Sequence, residues 1–338
     1  MLSRDQPSDI QSNAAKCFVN LWRCGVINNE KDIIYKKVMP SLVRRIRDDE
    51  AHFPEKSNAC RTLAYCIESD LYLQQLAQWN NLCPQALGNC FVCAMAVDLS
   101  SAGKVKRENA ICLIDAALQG IAALTSNNEE VRRKVVAEVL NFVQNLIRCL
   151  DADKYGDQVL LSALKCLSSL SRSLEQLRTT FQNRATWQTL LILTRSSNES
   201  DIVCTAVAVI ANLLLEFSPS KLSGIIETLC GMVKSENQSL RLNAVWALMN
   251  AAYRAEDKVK IAIVVGLNPD QLLRLLTESA VDSLLVPRLL GLVQNLLSQR
   301  KALCILANIA DGNSAKEYIM TNEDILRKIA NYMVRIIN

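Results

Sequence analysis

The chain has 338 residues, half of them hydrophobic, with 38 Lys and Arg against 34 Asp and Glu, so it is apolar enough for a large core and is not an intrinsically disordered chain. The small cationic surplus is spread too evenly to mark a nucleic-acid or anionic-membrane binder. Only 10 Gly and 7 Pro interrupt long stretches rich in Leu, Ala, Asn and Ser, a composition that favours helices throughout.

The N-terminal MLSRDQPSDI has no apolar core of a secretory signal. The longest apolar run, residues 202–215, is broken by Thr205 and Asn212 and is too short to span a bilayer. The expectation is a soluble intracellular protein with no membrane insertion, whose 13 Cys are reduced and mostly buried small hydrophobes.

In chain order, one phrase returns, seven residues of helical periodicity often closed by Asn: AAKCFVN ending at Asn20, ACRTLAY at Tyr65, ALQGIAA at Ala123, ALKCLSS at Ser169, AVAVIAN at Asn212, AVWALMN at Asn250, LLGLVQN at Asn295 and ALCILAN at Asn308. The intervals are 45, 58, 46, 43, 38, 45 and 13 residues. Except for 58 and 13, they sit around the period of armadillo and HEAT repeats, roughly 40–47 residues. Polar turns such as SENQS at 235–239 precede the phrase, and Pro40 and Pro84 are expected in the first turn of a middle helix. The spacing therefore predicts an all-α chain: one armadillo-repeat right-handed superhelical solenoid over 1–338, with about seven whole or partial repeats of three helices.

Two intervals depart from the period. The 58-residue interval places an insertion at 83–109, CPQALGNCFVCAMAVDLSSAGKVKREN, read as a long inter-repeat connection ending in a basic, Gly-containing loop. In the 13-residue interval a turn, two helices and a second turn cannot fit, and on one continuous helix the two Asn would lie about 220° apart. About 30 residues, one helix pair, are therefore expected to be missing near 300/301, which breaks that repeat. Neither DIQSNAAKCFVNLW nor IANYMVRIIN shows the polar outer helix of a capping repeat, so the chain is expected to be a segment of a longer array, truncated at both ends.

In such solenoids the third helices line the concave surface, so one position per repeat forms a ladder. A row of Asn can hold the backbone of an extended partner by donating and accepting at once, or can tie adjacent repeats together through backbone carbonyls. Four residues earlier the ladder reads Lys16, Arg61, Gln119, Lys165, Ala208, Trp246, Gly291 and Cys304. Its cations favour an acidic, aliphatic partner segment, against the plainer reading of a solvated charge row. The candidate partner-binding set is Lys16, Asn20, Arg61, Lys165, Asn212, Trp246, Asn250, Asn295 and Asn308. Trp246 with Asn250 is the i, i+4 pair with which importin-alpha-type proteins clasp basic peptides, and here it occurs once. A free-standing peptide receptor of importin-alpha or catenin type is the alternative reading, opposed by the cationic ladder.

Catalytic signals are weak. The single His, His52 in DDEAHFPEK, reads as a loop residue, and no Gly-rich phosphate loop is present. CFVC at 90–93, with Cys83, is the sole metal-like spacing and lacks a second pair. The expectation is a non-enzyme without cofactor, metal or small-molecule substrate.

SENQSLRLNAVWALMNAAYRAEDKVK at 235–260, SLSRSLEQLRTTFQNRATW at 169–187, NLLLEFSPSK at 212–221 and CILANIADGNSAKEYIMTNEDILRKI at 304–329 resemble the armadillo repeat-containing protein 8 family, with weaker similarity in AKCFVNLWRCG at 15–25 and TLAYCIESDLYLQQLA at 62–77. The resemblance implies a non-catalytic scaffold or adaptor of the CTLH (C-terminal to LisH) ubiquitin ligase, the counterpart of the yeast glucose-induced degradation complex. Such a subunit joins a substrate receptor to the scaffold in cytoplasm and nucleus, promoting proteasomal degradation, while the RING subunits transfer ubiquitin. It implies partners among the scaffold and substrate-receptor subunits, with Asn212, Trp246, Asn250 and Asn308 as contact residues. The family also carries further repeats at both ends and the helix pair absent near 300/301.

Overall fold

The computed structural model of the chain describes residues 2, 5–28, 30–68, 70–78, 82–173, 175, 181, 184–195, 201–218, 224–268, 275 and 284–296. They form helices and turns, with no strand among the described residues, and the helices group into two compact units, Met1–Thr180 and Phe181–Asn338. The architecture is all-α, built of armadillo-type repeats. The break expected near 300/301 and the ladder residue Asn308 lie outside the described residues.

The first unit begins with α1, Ser8–Arg23. Next come α2, Lys31–Ile33, a π-helical turn, Ile34–Val38, and α3, Met39–Arg47, which follow one another without a break. Pro40 stands in the first turn of α3, yet the chain is already helical before it. The wider π turn lies directly upstream of the proline, whose missing N–H and ring would disturb a regular α-helix. The unit continues with α4, Phe53–Ile67, α5, Leu71–Gln78, α6, Leu82–Met95, α7, Lys104–Thr125, α8, Glu129–Glu138, α9, Phe142–Arg148, the short α10, Ala152–Tyr155, and α11, Asp157–Leu170. The helices carrying the recurrent phrase, α1, α4, α7 and α11, pack side by side in that order.

The segment 83–109 differs from the expected long connection. Most of it is an ordinary middle helix, α6, in which Cys83, Ala86, Leu87, Cys90, Phe91 and Ala94 are buried at three- and four-residue spacing. The added length lies in the turns at 96–103 and in α7, which has 22 residues against 15 in α4. The Asp98 carboxylate closes the turn by accepting from the Ser100 and Ser101 hydroxyls and the Ser100 N–H, which holds its pKa down at about 2.

Behind α7, the α6 seam is tight. Phe91 and Phe142 are almost fully buried and meet edge to face at 5.7 Å between ring centroids. A Cβ at Gly88 would come within 2.5 Å of the Val139 side chain, so only glycine lets α6 approach the residues after α8 this closely.

The second unit contains α12, Arg184–Thr194, α13, Asp201–Leu213, α14, Ile225–Met232, α15, Gln238–Ala252, α16, Asp257–Leu267, and α17, Leu285–Leu296. Its phrase-bearing helices, α13, α15 and α17, again stack in order. The polar turn read in SENQS ends in an N-cap, since the Asn237 side chain accepts from the Ser239 and Leu240 N–H groups. Trp187 is buried, donates its indole N–H to the Phe181 carbonyl and meets Phe217 edge to face. No described helix is long and apolar enough to cross a membrane.

Candidate partner-binding face

The ladder divides by unit. In the second unit the Asn250 amide, 4% exposed, donates to the Ala211 carbonyl of α13 at 2.7 Å, and the Asn295 amide donates to the Met249 carbonyl of α15 at 2.9 Å. Seven residues earlier, two turns along the same helix face, a second rung repeats the device. Asn243 donates to the Cys204 carbonyl at 3.0 Å, and Arg288 donates to the Leu242 carbonyl at 3.2 Å. α15 is thus tied to α13, and α17 to α15, by two side-chain donors each, aimed at carbonyls one residue before the matching position.

These bonds bear on the two roles open to the Asn ladder. Asn250 and Asn295 tie repeats together, and Asn212 is buried as well. At the position four residues earlier, Trp246 is half-buried, and Gly291 lies so close to Met249 that a Cβ would sit 2.7 Å from its sulfur. Asn250→Ala would therefore remove an inter-repeat bond together with any contact to a partner.

In the first unit Lys16, Asn20 and Lys165 are exposed, as is Tyr65, which stands where other repeats have Asn. The Arg23 guanidinium lies 4.7 Å from the Tyr65 ring centroid, and Arg23 donates to the Glu68 carbonyl. Arg61 differs from the two lysines. It forms an ion pair with Asp115 of α7 at 3.0 Å and also donates to the Cys112 carbonyl. Asp115, with a side chain 8% exposed, accepts in addition from Gln119 on its own helix and from Ser162 of α11 at 2.7 Å. One buried carboxylate thus links three successive repeat helices. Ser169, at the ladder position of α11, donates to the Thr125 hydroxyl.

Asp115, Asn243 and Arg288 are the residues that the ladder reading passed over. Ser162, Asn243 and Arg288 all stand seven residues before a ladder position, so that offset carried the available signal.

His52 immediately precedes α4, and its backbone N–H donates to the Glu55 carboxylate at 2.8 Å. In CFVC, Cys90 is buried and donates towards the Ile46 carbonyl, whereas Cys93 is exposed. Burial pushes the thiols of Cys66, Cys83, Cys149 and Cys230 up to about 12, which favours the neutral thiol. No three His, Cys, Asp or Glu side chains converge as a metal set among the described residues.

The chain is 38% identical over 374 aligned positions to armadillo repeat-containing protein 8 of Pongo abelii, and likewise to that of Mus musculus, with 98% of this chain and 54% of either relative covered. It is 24% identical to GID complex subunit 5 of Schizosaccharomyces pombe, covering 84% of this chain and 37% of that protein. The chain therefore spans about half the length of the curated relatives it matches. The 374 aligned positions exceed the 338 residues of the chain, so the relatives carry segments within the aligned span that this chain lacks. No family model matches. Among solved structures, a designed armadillo repeat protein in complex with the peptide (KR)4 superposes with a TM-score of 0.55 at 17% identity, over 76% of this chain and 99% of that one. A second designed armadillo repeat protein gives 0.57, also at 17% identity, over the same shares.

Proposed function

This chain belongs among the armadillo-repeat relatives of armadillo repeat-containing protein 8, and from that premise we propose that it is a non-catalytic scaffold subunit of a CTLH/GID-type ubiquitin ligase. In this role it joins a substrate receptor to the LisH and RING subunits in cytoplasm and nucleus, and so promotes ubiquitin-dependent degradation. The observation that carries the reading is the similarity over 98% of the chain to armadillo repeat-containing protein 8. The relation to GID complex subunit 5 points to the same kind of assembly.

The geometry fits a scaffold. The buried Asp115 side chain joins neighbouring repeat helices by accepting from Arg61, Gln119 and Ser162. What the repeat helices offer a partner in the first unit is an exposed cationic and aromatic surface that includes Lys16, Lys165 and Tyr65. An acidic segment of a protein partner complements that surface.

The reading is tested by immunoprecipitating a RING subunit from cells with and without this chain. Substrate receptor should be recovered with the RING subunit when the chain is present and be lost when it is removed, while the LisH and RING subunits stay together. Receptor recovery that is unchanged by removal would contradict the adaptor role.

A further inference from the structure

The phrase-bearing helices of the second unit carry one Trp among the described residues, Trp246, and Arg288 of the same chain lies against its ring. The guanidinium carbon of Arg288, on α17, lies 4.8 Å from the centroid of Trp246, on α15. The same guanidinium donates to the Leu242 carbonyl one turn before Trp246, so the arginine is fixed at two points across α15. Asn250, one turn after Trp246, spends its amide on the Ala211 carbonyl. Both members of the Trp–Asn pair are therefore occupied from within the unit.

An aromatic face attracts a guanidinium or ammonium by its ring quadrupole, and Arg288 already holds one face of Trp246. A cationic side chain from a peptide would have to displace Arg288 from that face, breaking its bond to Leu242, and would meet like charge at the ring. A designed armadillo repeat protein of similar fold is in complex with the peptide (KR)4, which makes (KR)4 the probe for this face.

We propose that Arg288 is a specificity-determining residue that occupies the Trp246 face and thereby excludes Lys/Arg-rich peptides from the repeat-helix face of the second unit. The inference stands apart from the ubiquitin-ligase reading, since it concerns which peptide chemistry the face admits. It also gives the importin-type alternative a direct obstacle at the one place where the clasping pair occurs.

The test measures binding of fluorescein-labelled (KR)4 to the full 338-residue chain by anisotropy at fixed ionic strength, for the parent, Arg288→Gln, and Arg288→Gln combined with Trp246→Ala. Gln removes the charge from the ring while leaving a polar side chain at the position. Helical content is checked first by circular dichroism, and Arg288→Met, whose apolar stem fills the same space, replaces the variant if Gln perturbs the fold. Freeing the ring should tighten binding by about ten-fold or more, and the gain should vanish when Trp246 is also removed. Equal binding by parent and single variant would overturn the proposal, as would a gain that persists without Trp246, since that would reflect only the lost charge.

Discussion

Phe91→Ala is expected to destabilise the first unit by about 3–5 kcal/mol. The ring is fully buried between α6 and the start of α9, edge-on to Phe142, and its loss leaves a cavity with little room to close. Close approach at Gly88 against Val139 already brings α6 as near to its neighbour as side chains permit. Urea unfolding followed by circular dichroism measures the change. Phe91→Leu, which retains most of the volume, should cost less than about half as much. A loss under about 1 kcal/mol for the alanine variant would show that the seam can collapse and that the core of this repeat lies elsewhere.

The second large effect is expected at Arg61. Removing its side chain leaves the Asp115 carboxylate buried with two neutral donors, Gln119 and Ser162, and no countercharge. An uncompensated buried charge costs about 3–5 kcal/mol, and the partial exposure of Arg61 together with the remaining hydrogen bonds reduces this to about 2–3 kcal/mol. Removing Asp115 alone should cost less from unpaired charge, because Arg61 is 39% exposed and can turn to water. Replacing both, Arg61→Met with Asp115→Leu, should recover most of the loss, since an apolar pair of similar size needs no solvation. A double-mutant cycle reads the coupling. Additive single effects would mean that the ion pair contributes nothing to the α4–α7 contact.

The repeat helices were legible in the sequence because their buried residues recur at three- and four-residue steps and their phrases recur at one period. The Asn ladder was legible too, including the reading in which Asn ties one repeat to the next. Which role Asn250 and Asn295 take depends on carbonyls 39 and 46 residues away, and no local pattern encodes that distance. Arg61 shows the same limit. Its partner Asp115 lies 54 residues away, eight positions before the α7 ladder residue, and sequence spacing alone left Arg61 in a row with Lys16 and Lys165. The segment 83–109 was misplaced because its polar and glycine residues cluster at 98–103, which drew the whole stretch into one connection although 82–95 carries a buried helical stripe. The 13-residue interval rests on arithmetic, and the residues around it lie outside the described ones.

The proposed role as a structural subunit of a ubiquitin ligase stands or falls on which proteins the chain binds. The most direct test is affinity purification of the tagged 338-residue chain from its own cells, with co-purifying proteins identified by mass spectrometry. Recovery of the LisH and RING subunits together with a substrate receptor is the predicted result. Recovery of other stable partners without them, or of chaperones alone, would contradict it.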